Sequence, residues 1–358
     1  MRGIALLALA LFVAQPLIVE AAPPTPSPAH SPAPVRLMVR FADATARDRS
    51  LGRHAAISRG PVGKTGFEVI ELAATSAATA AASLRGEPGV LNAEPDARVS
   101  MSFTPNDPFY ATDPFSVLGA GEWGVRKAQV DRAWDVQRGS PSIVVATVDT
   151  GVDAGHPDLQ GALVNAPRFV TSPDASCPSD ATNRDDNGHG THVAGIVGAA
   201  GNNGLGVAGV AFGVRVMPIK ALDCMGAGFL SDIARSITYA ADNGARIVNV
   251  SLGASDASDA LQSAVTYALS RNVVVVAAAG NCGSESGTTR CPTLNAPDYP
   301  AAYAGVIAVG ATDPNDQPAT FSSAADYLSV SAPGVSIVST FPTYRVQLNV
   351  EGLPQNDY

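Results

Sequence analysis

Five short apolar runs most constrain how this chain can fold. None of them alternates apolar and polar residues, as a half-exposed strand would. Their sequences are SIVVATVDTG, VRVMPIKAL, ARIVNVSLG, NVVVVAAAGN and GVIAVGATD. Such unbroken runs are typical of strands buried on both faces. Helical patterns lie between them, including SDIARSITYAADNG, with a predicted cap at Ser231 and a stop at Gly244, and SDASDALQSAVTYALSRN. This alternation predicts an α/β fold, a parallel sheet with helices on both faces.

Polar and small residues follow three of the predicted strands. The first strand ends at Asp149, Ser251-Leu252-Gly253 follows the third, and Gly280-Asn281 follows the fourth. Functional groups of open parallel sheets gather at the carboxyl ends of the strands. His189 is predicted to open the helix after the first strand. We therefore expect an acid and an imidazole to meet at this edge.

A smaller unit precedes these strands. RLMVRF and GFEVIEL are typical of strands, Thr75–Arg85 is an alanine-rich helical segment, and GVLNAEPDARVS is a third strand candidate. This content predicts a compact α+β module over residues 35–103. A Pro/Ser/Ala-rich linker, residues 22–34, precedes the module and is predicted to be disordered.

The N-terminus has the pattern of a secretory signal peptide. Arg2 precedes an apolar run from Ile4 to Val13, and small residues follow, so cleavage is predicted after Ala21. A membrane anchor is the alternative, but the run is too short and Pro16 interrupts it. We predict a secreted protein, extracellular or periplasmic, without a stable membrane span.

The four cysteines fit an oxidising compartment. Cys177, Cys224, Cys282 and Cys291 allow three pairings. The last two bracket a polar loop, which favours their pairing and leaves Cys177 with Cys224. A structural zinc site is disfavoured, because the chain has no C-x-x-C pair.

Charge excludes one class of partner. The 358 residues carry a formal net charge of -9, and no basic patch interleaved with aromatic residues is present in the sequence. We expect no nucleic-acid partner.

The segment NGHGTHVAG, residues 187–195, contains two of the five histidines. Zinc hydrolases of the H-x-x-H kind need a glutamate base beside the first histidine, but Gly190 and Thr191 lie between these two. Acid–base chemistry fits better: a carboxylate at Asp149 would orient His189, which takes a proton from a hydroxyl. His192 is interpreted as a packed structural residue.

Several ordered motifs give the chain a specific resemblance. VVATVDTGVDAGHPDL, NGHGTHVAG, NVSLG, VVAAAGN and SAPG resemble, in this order, the subtilisin-like serine proteases. The resemblance implies a secreted endopeptidase that hydrolyses peptide bonds through an Asp-His-Ser triad, with polypeptide substrates. The upstream module, ending in AEPDARV, resembles the family propeptide, a folding aid and intramolecular inhibitor. Residues 104–358 would be the peptidase domain, released by cleavage between residues 100 and 106.

The resemblance assigns roles residue by residue. Asp149 matches the catalytic aspartate, His189 the general base and Asn281 the side-chain donor of the oxyanion hole. Ser251, Leu252 and Gly253 match the strand edge that binds extended peptide. Taken alone, Gly280-Asn281 is also good turn chemistry.

The resemblance also implies a calcium site and no organic cofactor. Asp158 and Asn203 match ligands of the family, with the carbonyls of Gly201, Leu205 and Val207 as further oxygen donors. The loop GNNGLGVAG is equally compatible with a bare turn, because two side-chain oxygens fall short of the six or more that calcium takes.

The nucleophile motif of the family, of the G-T-S-M-A type, is not found in residues 1–358. Ser323, Ser336 and Ser339 lack its flanking glycine and following helix. We therefore expect the chain as given to be inactive and, without that helix, to fold poorly. The alternative function is a peptide-binding pseudoprotease.

Overall fold

The computed structural model describes residues 34–74, 76–97, 103–111, 121–178, 182–284 and 286–353. The predicted signal peptide, nearly all of the linker and part of the predicted cleavage region lie outside the described residues. The chain forms two compact units, one up to Val99 and one from Ser100. The predicted division, after Phe103, falls a few residues further along.

The first unit is a four-stranded antiparallel sheet with two helices. Its strand order is β2-β3-β1-β4. The core contains Leu37, Ile70 and Leu84, all essentially inaccessible to solvent. Its elements in chain order are β1 Val35–Phe41, α1 Ala44–His54, β2 Ile57–Pro61, β3 Glu68–Leu72, α2 Ala77–Arg85 and β4 Val90–Pro95.

Helix α1 was not predicted, because its sequence ATARDRSLGRH offers few apolar residues. Only Ala46 and Ser50 are buried in it. The helix begins after Asp43, whose Oδ1 accepts a hydrogen bond from the Ala46 amide at 2.8 Å. A side-chain cap of this kind satisfies one of the amides that a helix start leaves without a partner.

The second unit is built on a six-stranded parallel sheet. Its elements in chain order are α3 Pro108–Ala111, α4 Trp123–Lys127, α5 Val130–Ala133, β5 Val144–Asp149, the 3-10 turn Pro157–Leu159, α6 His189–Gly198, β6 Arg215–Lys220, α7 Leu230–Asp242, β7 Ala245–Val250, α8 Asp259–Ser270, β8 Val274–Ala278, β9 Ile307–Thr312, β10 Val330–Pro333 and α9 Gln347–Val350. The strand order is β10-β9-β8-β7-β5-β6, and every neighbouring pair is parallel. Each of the five apolar runs forms a strand, so the predicted fold class is confirmed.

The sheet is covered by helices. Helices α7 and α8 share a large core cluster with the strands, in which Ile237 and Leu261 are fully buried. Helix α6 belongs to a second cluster through Ala194, which packs with Val216 of β6. Within the described ranges, no helix is long and apolar enough to cross a bilayer.

The predicted cap of α7 was wrong, whereas Ser258 caps α8. Helix α7 begins at Leu230, its N-cap is Phe229, and no side chain there accepts a capping hydrogen bond. At α8 the Ser258 hydroxyl accepts from the Leu261 amide. Helix α7 ends just before Gly244, whose φ of 88° suits a glycine after a helix.

Two disulfides join the four cysteines in the favoured pairs. Cys177 bonds Cys224, and Cys282 bonds Cys291. Among the described residues no free cysteine remains. The second bond begins one residue after Asn281.

We predict that Ile237→Ala destabilises the second unit strongly, because a buried isoleucine leaves a cavity when truncated. The expected loss is about 2–5 kcal/mol in the free energy of unfolding. Ile307→Ala is the matched control, since that side chain is 38% exposed. Urea denaturation followed by circular dichroism would measure both, and equal losses would contradict the assignment of this core.

Candidate active site

The predicted acid and imidazole meet at the carboxyl end of β5. The His189 ring, through Nδ1, is hydrogen-bonded to Oδ1 of Asp149 at 2.7 Å. Asp149 is 1% exposed, and the same oxygen accepts from the Thr150 amide at 2.8 Å. The His189 side chain is 46% exposed. A buried carboxylate therefore holds an imidazole that solvent or a substrate can reach.

Asp185, which the sequence analysis missed, positions this pair. Its Oδ1 accepts hydrogen bonds from the Thr150 hydroxyl and the Gly188 amide, each at 2.8 Å. Its Oδ2 accepts from the amide and hydroxyl of Thr191, at 2.8 and 2.7 Å. Asp185 is fully buried. One carboxylate thus fastens the first turn of α6 to the residue that follows Asp149. Its signal in the sequence is an acid placed just before a glycine-flanked helix start.

Glycine at position 190 allows the close approach of α6 to β5. A Cβ built there would lie 2.2 Å from the Gly151 carbonyl oxygen. The Gly190 amide donates to the Thr150 hydroxyl at 2.8 Å. Any larger residue would push His189 away from Asp149.

A buried lysine stabilises the backbone at Thr150, the residue that follows Asp149. Lys220 is 1% exposed, and its Nζ donates to the Thr150 carbonyl at 2.5 Å and to Oδ1 of Asp186 at 2.6 Å. The ion pair with Asp186 compensates for the burial of the ammonium group.

The pKa values of the two histidines of the motif are shifted in opposite directions. The Asp149 carboxylate raises the pKa of His189, against the opposing effect of burial. Burial lowers the pKa of His192 to about 4, and its Nε2 is hydrogen-bonded to the Ile337 carbonyl at 3.1 Å. The two rings therefore have different partners and do not form a common metal site.

The other predicted residues lie along the same edge of the sheet. Strand β7 lies between β5 and β8, and all three are parallel, so residues after their carboxyl ends share one edge. Ser251–Gly253 follow β7, and Asn281, which is exposed, follows β8. The Ser251 hydroxyl accepts from the Asn249 amide group at 2.8 Å.

The serines that the sequence analysis rejected have other partners. The Ser323 hydroxyl accepts from the Cys282 amide at 3.0 Å, and the Ser339 hydroxyl donates to the His192 carbonyl at 2.8 Å. Ser336 has a φ of 51° in the turn after β10. Among the described residues, no serine hydroxyl is hydrogen-bonded to His189.

Buried acids surround the predicted calcium ligands. Oδ1 of Asp158 accepts from the Asn203 side-chain amide at 2.7 Å, and its Oδ2 accepts from the Val207 amide at 2.9 Å. Two further acids were missed: Asp107, which accepts from the Asn202 amide at 2.6 Å, and Glu122, whose burial raises its pKa to about 8. Burial raises the pKa of Asp158 as well, and the charge of Asp107 adds a smaller rise to the pKa of both Asp158 and Glu122.

No cluster of three or more His, Cys, Asp or Glu side chains in the described part of the chain is arranged to hold a metal ion. The predicted set is of another kind, since Asn203 and backbone carbonyls supply part of it. Its oxygens fit calcium in chemistry, and a cation would relieve the repulsion among the acids.

The fold and the Asp149–His189 dyad together define an α/β protein with a hydrolase-type acid–base pair. Comparison with known proteins gives its family. The sequence model described as the subtilase family, Peptidase_S8, matches residues 140–355. The chain belongs to the subtilase family.

Individual relatives agree with this assignment. The chain is 42% identical to the thermophilic serine proteinase of Bacillus sp. (strain AK1), over 79% of this chain and 64% of that protein. It is 42% identical to thermitase of Thermoactinomyces vulgaris, over 67% and 77% of the two chains. Subtilisin Savinase of Lederbergia lenta is 40% identical, over 62% and 74%. The chain thus matches less than two thirds of the length of the Bacillus protein.

We predict that the two histidines titrate in separate pH ranges. His189 should change charge above pH 6.5, the ordinary histidine value, whereas His192 should stay neutral down to about pH 4. Because the pKa of His192 is depressed by folding, its contribution to stability is present above pH 6.5 and is lost as the pH falls towards 4. NMR titration of the ring protons measures both values.

Asp149→Asn supplies the control for this titration. The neutral amide removes the attraction that raises the pKa of His189 but leaves the ring equally buried, so that pKa should fall. The pKa of His192 should move much less. An unchanged pKa at His189 would show that Asp149 does not set its charge.

Proposed function

We propose that this protein is a secreted serine endopeptidase in which His189 is the general base and Asp149 its orienting partner. The observation that carries the proposal is the hydrogen bond of 2.7 Å between a buried carboxylate and a half-exposed imidazole at the carboxyl edge of the sheet. Membership of the subtilase family, with relatives named serine proteinases, supports it.

In this proposal each ring nitrogen of His189 has its own task. The ionised carboxylate of Asp149 accepts from Nδ1–H of His189, which leaves Nε2 without its proton and able to accept one from a serine hydroxyl. The imidazolium that then forms is stabilised by the negative charge of Asp149, in line with the raised pKa of His189. The same proton is afterwards delivered to the leaving amine.

Substrate would bind along the edge formed after β7 and β8. Backbone groups of Ser251–Gly253 would pair with an extended peptide, as in strand addition to a sheet. The exposed side chain of Asn281 would donate to the carbonyl oxygen as negative charge develops on it.

A peptide-binding pseudoprotease is the second candidate. It rests on one observation: among the described residues, no serine hydroxyl is hydrogen-bonded to His189, whose side-chain partner is Asp149. In that case the edge would still bind peptide, but no bond would be broken.

Export and processing complete the proposal. The N-terminal signal pattern and two disulfides support secretion. The first compact unit would serve as propeptide, an intramolecular inhibitor and folding aid, released by cleavage between residues 100 and 106.

Cleavage of casein and of fluorogenic peptides tests the enzyme. The endopeptidase candidate predicts turnover that a serine-directed phosphonate abolishes and that His189→Ala lowers to near background. It requires that the assayed protein supply the nucleophilic serine, for which residues 1–358 contain no G-T-S-M-A-type motif. Asn281→Ala should lower kcat by about 10²–10³, a figure measured on subtilisin, a relative in the same family. Asn315→Ala, at an exposed turn, is the matched control.

The outcomes separate the two candidates. Binding of peptide without cleavage selects the pseudoprotease. Cleavage that survives His189→Ala, or that a chelator abolishes while the phosphonate has no effect, contradicts the serine mechanism.

We further propose that the Asp158 site binds calcium as a structural ion. Asp158 and Asn203 would hold it, with the carbonyls of Gly201, Leu205 and Val207. Asp107, which accepts a hydrogen bond from the Asn202 amide of this loop, would add a carboxylate. The close acids support this assignment, because a divalent cation would offset their mutual repulsion. The ion would fix the loop after α6 and take no part in catalysis.

Thermal melting tests the calcium proposal. Saturation at about 100 times Kd adds about 2.7 kcal/mol to the stability of a protein that binds only when folded. The Tm should therefore fall when EGTA replaces calcium, and this difference should vanish in Asp158→Asn but persist in Asp326→Asn, an exposed control. Equal Tm values in calcium and EGTA would refute the site.

A further inference from the structure

A buried carboxylate lies between two of the strand ends that form the peptide-binding edge. Asp298 is 6% exposed. A Cβ built on Gly253 would lie 1.8 Å from its Oδ1, and one built on Gly280 would lie 2.5 Å from its Oδ2. The carboxylate is thus wedged between the two glycines, with one oxygen against each.

This contact explains why Gly253 is a glycine. Its φ is not in the left-handed region, since it is absent from the residues with positive φ. The residue is small because the Asp298 carboxylate occupies the space that a side chain would need. Gly280, with a φ of 101°, needs glycine for its backbone as well as for this contact.

One oxygen of this carboxylate lacks a hydrogen-bond partner, whereas a backbone hydrogen bond from Tyr299 reaches the group. Oδ1 of Asp298 is buried without a hydrogen bond, and no ion pair within 4.0 Å of it is found among the described residues. Arg290, on an exposed loop, acts on it only through its charge, which opposes the rise in the pKa of Asp298 that burial causes. A buried carboxylate oxygen without a partner is costly, so a ligand that supplies a cation to it gains binding energy.

The position of Asp298 defines which cation fits. Gly253 ends the segment proposed to pair with the peptide backbone, and Gly280 directly precedes Asn281, the proposed donor to the scissile carbonyl. The side chain of a residue whose carbonyl faces Asn281 would therefore start beside the two glycines, within reach of the carboxylate that lies against them. A metal ion is a poorer candidate, because a single carboxylate is far from the six oxygens that calcium takes.

We infer that Asp298 selects substrates with lysine or arginine at the residue that provides the scissile carbonyl. The ammonium or guanidinium group would pair with the carboxylate between Gly253 and Gly280. The inference rests on the proposed peptide-binding edge, but it needs only binding and not cleavage. Asp298 would be a specificity-determining residue that leaves the chemistry of His189 unchanged.

The test uses the full chain, cleaved between residues 100 and 106 so that the first unit, proposed as an inhibitor, can be released. The peptides of the panel differ only at this one residue. Each peptide carries a ketomethylene isostere in place of the scissile amide, so that binding is measured whether or not the protein cleaves. Lysine, arginine, norleucine, phenylalanine and glutamate are compared by fluorescence anisotropy. We expect the lysine and arginine peptides to bind at least about tenfold more tightly than the norleucine peptide.

Variants identify the residue responsible. Asp298→Asn keeps the shape but removes the charge, and should abolish the preference for lysine while changing the Kd of the norleucine peptide little. Asp326→Asn removes the same charge from an exposed site and should keep the preference. The comparison among peptides on the unsubstituted protein needs no variant, so it stands even if Asp298→Asn folds poorly.

Three results would overturn the inference: equal Kd values for lysine and norleucine peptides, no binding of any peptide, or a lysine preference that survives in Asp298→Asn. Parallel assays with ordinary amide peptides separate it from the proposed function. Cleavage without preference rejects the inference alone, and charge-selective binding without cleavage rejects the endopeptidase alone.

Discussion

The attachment of α6 to the end of β5 by the buried carboxylate of Asp185 is the interaction on which the site depends. Both of its oxygens accept two or more hydrogen bonds, from the Thr150 hydroxyl on one side and from the helix start on the other. A carboxylate there also meets the positive end of the helix dipole. Together with the hydrogen bond from the Gly190 amide to the Thr150 hydroxyl, it holds the imidazole of His189 beside Asp149, a residue 40 positions earlier in sequence.

The shared edge of the sheet brings together segments that are distant in sequence. Parallel strands must return to the same end, so residues after β5, β7 and β8 become neighbours whatever the length of chain between them. The two histidines of α6 also lie in different electrostatic environments. His189 has a carboxylate partner and is half-exposed, whereas His192, less than one turn further along α6, is surrounded by packed chain and lies beside a carbonyl.

Most of the architecture could be predicted from the sequence, because buried parallel strands produce long apolar runs that no turn interrupts. The dyad could be predicted for a related reason, since Asp149 ends such a run. Asp185 and Asp298 could not, because their roles come from tertiary contacts: one caps a helix across a glycine turn, and the other lies between glycines 45 and 18 positions before it. Helix α1 was not predicted because a polar, half-exposed helix has little periodicity. The predicted cap at Ser231 was wrong because helix α7 begins two residues earlier, with Phe229 as its N-cap.

The bond between Cys282 and Cys291 gives the loop between them unusual freedom to vary. Both sulfurs are buried with Ala296 in a small cluster of their own, directly after Asn281. The covalent closure fixes the strand end on one side and the return of the chain on the other, so the exposed residues between need not support either. Substitutions and insertions at the exposed residues 286–290 could accumulate without moving Asn281, the proposed oxyanion donor. New surface contacts could therefore be introduced in this loop, beside the proposed peptide-binding edge.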